Sequence, residues 1–356
     1  MDHCTHYFGA GPAALPAEVK QKIQKDINLY GDTGNSILEL SHRSEQFSSI
    51  ITSAQSLLRS LYAIPDNYKI IFMAGGATLQ FDAIPLNLVG SAKHASYLDT
   101  GFWSRKSANL ARKYVDVKFV QGLIDSREKI CCIDPEQWNV DPESAYFHVT
   151  PNETIYGVEF TQVKKTDIPL VADMTSCILM QDIDISNYGV VYAGVQKTLG
   201  IAGLSVVIVR EDLIERVSET TPELLRYDLH VKENSIINTC PVFACYVTQL
   251  MLDWVKRNGG VKAMVEQANM RASLLYQAVD SNSKFVNHVC ENNRSVINVA
   301  FNSSDNGVIN NLLVAAKKEG LTGLEGHRNA GGIRVSMYNG TPMGAVHRLV
   351  ELIAQA

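Results

Sequence analysis

Between residues 68 and 210 the chain carries five short apolar runs of strand length, the first ending in glycines. The runs are YKIIFMAGG, HASYLD, PLVADM, GVVYAG and GLSVVIVR. Each is too short to span a membrane and too continuously apolar to be a half-exposed strand. Helical patterns separate several of them, as in SRKSANLARKY, and others precede them. PAEVKQKIQKDINLY sets Val19, Ile23, Ile27 and Tyr30 on one helical face, with Pro16 near its start. A second helix runs through Ile50, Ile51, Ala54, Leu57, Leu58 and Leu61. Buried strands alternating with helices predict an α/β fold, with helices over a mainly parallel sheet.

The character changes after ACYVTQLMLDWVKRNGG. Asn258-Gly259-Gly260 closes one helix and VKAMVEQANMRASLLYQAV opens another. Beyond it come a strand (SVINVAF), a helix (GVINNLLVAAKKEG), a second strand (GIRVSMY) and a terminal helix (MGAVHRLVELIAQ). Residues from 259 onward therefore read as a smaller α+β domain. A length of 356 residues accommodates both units.

Charge narrows the partners. With 32 basic against 37 acidic residues the net charge is −5, which argues against nucleic acid or an anionic membrane. The N-terminal MDHCTHYFGAGPAALP lacks the charged-then-apolar order of a secretory signal, so a cytoplasmic enzyme is expected. Seven cysteines (Cys4, Cys131, Cys132, Cys177, Cys240, Cys245, Cys290) are scattered without zinc spacing, and reduced thiols are the expectation. No metal site is read.

One cation is out of place. Lys197, in VVYAGVQKTLG, follows an apolar run where an ordinary surface lysine would have polar neighbours. Lys197-Thr198 is not the end of a phosphate-binding P-loop, which would need glycine where Val191 and Gln196 stand. A lysine kept partly desolvated can instead lose its proton and attack a carbonyl. In α/β sheets ligands sit beyond the carboxyl ends of strands, and two more such ends carry chemistry. GGAT (Gly75–Thr78) opens a helix whose free N–H groups suit a phosphate, and LVAD places Asp173 at a strand tip. Singly, the first reads as a plain turn and the second as a cap. Together, a phosphate cradle, an acid and a lysine suit pyridoxal phosphate: the lysine forms the Schiff base and the acid keeps the pyridine nitrogen protonated. Trp103, in TGFWS, offers a flat face for such a ring.

Several stretches, matched in order from His6 to Asn339, resemble the phosphoserine aminotransferase family. They are HYFGAGPAALP, SILELSHRSEQF, IPLNLVG, TPNETIYG, VADMTS, YAGVQKTLGIAGLSVVIVRED, INTCPVFACY and GHRNAGGIRVSMYNG. The resemblance implies a fold-type I transferase dependent on pyridoxal 5'-phosphate. It also implies a large domain over residues 15–258 and a small domain formed by 1–14 with 259–356. Members exchange an amino group between phosphoserine and 2-oxoglutarate, giving 3-phosphohydroxypyruvate and glutamate in serine biosynthesis. The likeness implies Lys197 as the Schiff-base lysine, Asp173 as the partner of the pyridine nitrogen and Trp103 as the stacking ring. Thr154 in PNET would bond the ring hydroxyl, while Gly76, Ala77 and Gln196 would bind the phosphate. Asn238 and Thr239 would reach the phosphate of the other subunit's cofactor, so a homodimer with shared sites is implied.

On the substrate side, Arg334 in GGIRVS would take the α-carboxylate, since an arginine fork matches two carboxylate oxygens. The pairs His42-Arg43 and His327-Arg328 would serve the substrate phosphate, one pair coming from the neighbouring subunit. Outside that family context either pair reads as a solvated surface pair. The chain departs from the family where GGATLQF replaces the commoner GGGxGQF, with Thr78 where some members have arginine. Gly9-Ala10 also stands where hydroxyl residues are frequent. Cysteine desulfurase, serine–glyoxylate transamination and a non-catalytic relative are the competing readings. Gln196 argues against the first, because desulfurases usually have histidine before the lysine. Intact Lys197, Asp173 and Arg334 argue against the last.

Overall fold

The computed structural model describes residues 5–126 and 129–356. A seven-stranded sheet forms its centre, in the order Tyr68–Ala74, Leu204–Arg210, Val190–Gly194, Leu170–Asp173, Phe147–Val149, His94–Asp99, Asp116–Gln121. All strands run parallel except Leu204–Arg210, which is antiparallel to both of its neighbours. The fold is thus α/β with a mainly parallel sheet, as the apolar runs predict.

Side chains alternate between the two faces of the sheet, and each face is buried. Ile70 and Phe72 join one core cluster with Leu98, Val149, Ala172 and Val191. Ile71 and Met73 join the other with Tyr97, Val171, Val190 and Tyr192. Helix Glu45–Tyr62 covers the first face through Phe47, Ile50, Ile51, Ala54 and Leu58. Each such burial contributes about 1.5–3 kcal/mol, which is why both faces of the strands had to read as apolar.

A third core gathers Leu275, Val299, Phe301, Ile333, Val335, Val346 and Leu349. Phe8 belongs to it, because strand His6–Tyr7 pairs in parallel with Leu321–Thr322. The helix Gly260–Ser281 serves two cores: Val261, Met264 and Ala268 enter the first, Ala272, Leu275 and Val279 the third.

Two local expectations change. The first helix stops at Asn28, where Leu29 turns extended, so Tyr30 lies beyond it and Ile27 is 39% exposed. The cysteines are not all reduced, since Cys131 and Cys290 form a disulfide. Backbone bonds from Ile130 N–H to His288 O (2.7 Å) and from Cys290 N–H to Ile130 O (2.9 Å) bring the two Cα atoms to 5.1 Å. That pairing joins residues 159 apart in sequence, which spacing alone does not reveal. Cys132, Cys177, Cys240 and Cys245 are free thiols, and Cys4 lies outside the described residues. Among the described residues no helix is long and apolar enough to cross a membrane.

Candidate active site

Five parallel strands end on one side of the sheet, and the residues after them line a cavity of about 430 Å³. That is ample for a cofactor-sized ligand. Gly76, Ala77 and Thr78 follow the strand Tyr68–Ala74, Trp103 follows His94–Asp99, and Thr150, Asn152 and Thr154 follow Phe147–Val149. Asp173, Thr175 and Ser176 end the fourth strand, and Gln196 and Lys197 follow the fifth. From the opposite side come Ala10, Gly11 and Pro12, with His327 and Arg334.

Helix Ala77–Leu88 begins at this cavity with no side chain capping it, and a Cβ added to Gly76 would meet nothing within 4 Å. Its first residues, Ala77 and Thr78, line the cavity, and N–H groups at a helix start suit an anion. Gln196 closes one flank, because Gly194 has no Cβ; one built there would stand 2.6 Å from Gln196 Oε1.

Lys197 is held from the N-terminal segment. Ala13 N–H donates to Gln196 O at 2.9 Å, and Gly11, at φ 131°, lies so close that an added Cβ would stand 3.2 Å from Lys197 Cγ. Loss of solvent lowers the amine to about 8; the charge of Asp173 opposes the fall and that of Arg334 adds to it. A neutral amine is therefore available near physiological pH, as an attacking group requires.

Asp173 Oδ1 accepts from Thr175 N–H (3.0 Å) and Thr175 Oγ1 (2.5 Å), and that hydroxyl in turn accepts from Gly194 N–H at 3.1 Å. Burial raises the pKa of this carboxyl, while Thr175 and Lys197 favour its charged form. Among the described residues, Asp173, Lys197 and Arg334 form no salt bridge although all line the cavity. Charges poorly solvated and not paired with one another favour a ligand that completes them.

The Trp103 indole N–H donates to Thr154 Oγ1 at 3.0 Å. Thr154 thus has its acceptor side engaged and its own proton free to donate into the cavity. Lys197 Nζ lies 5.9 Å from the centre of the Trp103 ring, leaving a slot between amine and indole. Phosphate cradle, anionic partner, amine, hydroxyl donor and flat face all fit pyridoxal phosphate.

Arg334 reaches the cavity from strand Ile333–Ser336 with its buried Nε unpartnered. His327 stands beside it, and burial together with the charges of Arg334 and Arg328 lowers its pKa. The positive charge on this wall is that of Arg334.

Nine residues singled out in the sequence meet here: Gly76, Ala77, Trp103, Thr154, Asp173, Gln196, Lys197, His327 and Arg334. His42, Arg43, Asn238, Thr239 and Arg328 do not line the cavity of this chain, and Arg43, Thr239 and Arg328 are exposed.

The family model for class-V aminotransferases matches residues 5–349. The phosphoserine aminotransferase of Bacillus cereus is 42% identical over 350 residues, covering 98% of this chain and 97% of its own. That of Acinetobacter baylyi is 39% identical, covering 97% and 96%. The chain belongs to the phosphoserine aminotransferase family. Solved structures agree: the family's enzyme from Bacillus circulans subsp. alkalophilus superposes with a TM-score of 0.93 at 37% identity, covering 98% of this chain and 97% of the other. A pyridoxal-phosphate-bound member from Trichomonas vaginalis gives 0.91 at 34%, covering 98% and 99%.

Within this family member, several site groups escape a sequence reading. Thr175, two residues after Asp173, could have been found from its reach back to the carboxylate. Glu153 sits inside the quoted PNET stretch but bonds to residues about 50 positions away. His148 stacks on Tyr97 and bonds Tyr192 Oη at 2.8 Å, with no local signal at all.

Proposed function

We propose that the chain catalyses reversible amino transfer between O-phospho-L-serine and 2-oxoglutarate, giving 3-phosphohydroxypyruvate and L-glutamate, with pyridoxal 5'-phosphate as cofactor. The observation that supports this most directly is the convergence of Lys197, Asp173 and Arg334, all without ion-pair partners among the described residues, on one cavity beside the Gly76–Thr78 cradle. Gly76, Ala77 and Gln196 would hold the cofactor's phosphate, Thr154 its ring oxygen, Asp173 its ring nitrogen, and Trp103 its face. Once bound, the cofactor supplies an electron-accepting ring for the pair released when the bond from Cα to hydrogen breaks. Lys197 Nζ takes that proton from the substrate's Cα and returns it within the same cavity, which calls for an amine able to be neutral. Arg334 binds the α-carboxylate and thereby fixes Cα opposite the amine.

His42, Arg43, His327 and Arg328 serve the substrate phosphate in this reading, one pair from each subunit of a homodimer. Asn238 and Thr239 would then complete the partner's cofactor site. The exposure of Arg43, Thr239 and Arg328 suits residues that work across such an interface. Residues 15–258 form the cofactor domain, 1–14 with 259–356 the smaller one, and the enzyme acts in the cytoplasm. The aldehyde-accepting amine and the positive wall would also suit 4-phosphohydroxy-L-threonine.

The direct test is an absorbance spectrum of the holoenzyme before and after O-phosphoserine, with serine as control. Loss of the visible band with phosphoserine alone supports the proposal; a band indifferent to both amino acids refutes it. Two further results are expected. Apoprotein mixed with pyridoxal phosphate should attach it covalently at a rate that climbs with pH through about 8 and then levels, because only the neutral amine attacks. A pH-independent rate from 6 to 9 would contradict this (the range spans about one unit or more either side of the titration). Arg328→Ala should lower kcat/KM for phosphoserine roughly 10- to 100-fold, the worth of a charge-assisted bond, and leave glutamate much less affected. Equal losses on both substrates would remove Arg328 from phosphate recognition.

A further inference from the structure

Glu153 is fully buried, yet it is not among the groups that line the cavity. Its two carboxylate oxygens divide between two backbone donors: Oε2 accepts from Trp103 N–H at 3.0 Å and Oε1 from Ser104 N–H at 2.8 Å. These are free donors of the first turn of helix Phe102–Ala111, which bears Trp103. The approach depends on Gly101, whose φ of 148° favours glycine and whose added Cβ would stand 2.9 Å from Glu153 Cδ. The next residue, Thr154, holds the indole N–H of the same tryptophan. Two consecutive residues of one short hairpin, at the end of strand Asn152–Glu153, therefore grip Trp103 at its backbone and at its ring. A helix start can be capped by a local serine or aspartate, at no cost of burying a distant carboxylate. Ser104 Oγ already provides a local bond here, accepting from Gly101 N–H at 3.0 Å. That bond leaves Trp103 N–H and Ser104 N–H to a buried carboxylate about 50 positions away rather than to a local cap.

We propose that Glu153 is a positioning residue, which through the first turn of helix Phe102–Ala111 sets the plane of the Trp103 indole against the cofactor ring. The inference rests on the reading of this cavity as a pyridoxal phosphate site. Burial raises the pKa of Glu153 to about 7, opposed by the N–H bonds from Ser104 and Trp103 and reinforced by the charge of Asp173. Its hold on the helix therefore depends on those donors keeping it ionised. The charged groups facing it from neighbouring elements are Asp173 and Lys197.

The experiment is a double-mutant cycle on affinity of the apoprotein for pyridoxal phosphate, with Glu153→Gln, Trp103→Ala and both together. Glutamine keeps the shape but offers only one acceptor, so one N–H loses its partner. In Glu153→Gln the dissociation constant should rise roughly tenfold, the scale of one charge-assisted bond, and the visible circular dichroism of the bound cofactor should fall by more than half. In the Trp103→Ala background the same change should have no further effect on affinity. A second readout needs no cofactor: the emission assigned to Trp103, by subtracting apo Trp103→Ala from the parent, should shift to the red in Glu153→Gln. Should glutamine prevent folding, Glu153→Asp withdraws the carboxylate while keeping its charge, and the same cycle applies. Equal losses with and without Trp103 would overturn the proposal, as would an unshifted Trp103 emission. Failure of wild-type apoprotein to take up pyridoxal phosphate would instead overturn the cofactor reading on which it stands.

Discussion

Lys197→Ala is expected to abolish multiple turnover and covalent attachment of the cofactor while leaving the fold intact. The amine carries two tasks in this cavity, as nucleophile toward the cofactor's carbonyl carbon and as the base that moves the Cα proton. Loss of a general base alone costs about 10²–10⁴-fold, and the nucleophilic role adds to it. Among the described residues no other lysine lines the cavity to take over; Lys106, whose Nζ sits 5.0 Å from the Trp103 ring, is outside its lining. Stability should change little, since the lysine forms no salt bridge among the described residues and its amine is held at an energetic cost. The check is borohydride reduction of the holoenzyme followed by peptide mass spectrometry, together with steady-state rates. Wild type should carry the cofactor on the Lys197 peptide and the variant nowhere. A variant that still cycled at the normal rate would remove Lys197 from the mechanism.

Asp173→Asn should be the next most damaging change, lowering amino transfer by roughly 10²–10³-fold, the usual effect of removing one preorganised electrostatic partner. The amide retains an oxygen for Thr175 but carries no charge to keep a ring nitrogen protonated. Covalent attachment to Lys197 should survive, which separates this variant from the lysine one. A second consequence has a definite sign. Asp173 is the strongest influence holding the Lys197 amine protonated, against the solvent loss that lowers it. Removing that charge should move the pH midpoint for attachment of pyridoxal phosphate below about 8. The attachment rate measured across pH in both proteins tests this; an unmoved or higher midpoint would mean that the two groups do not interact as the cavity arranges them.

The strands were legible because burial on both faces of a parallel sheet forces continuous apolar runs, as in Val190–Gly194 and Leu204–Arg210. That Leu204–Arg210 runs antiparallel was not legible, since a buried strand has the same composition in either direction. Asp173 and Lys197 could be singled out because each puts a charge at the tip of an apolar run, and the family likeness then extended the set to Thr154 and the His-Arg pairs. Glu153 and His148 stayed hidden for one reason: their partners, Trp103 and Tyr192, lie 50 and 44 positions away, and no local period encodes such a bond.

By itself the sequence determined the layer architecture, the strand ends that carry chemistry, and the charge types gathered there. Hydrophobic periodicity and chain punctuation are local properties, so a linear reading recovers them. Only the tertiary structure decided that the N-terminal Gly11 lies against Lys197, that Cys131 meets Cys290, and that Thr154 and Glu153 together grip one tryptophan. Those contacts join residues from 50 to nearly 190 positions apart. They arise because sheet order, rather than chain order, sets which strand ends are neighbours in space.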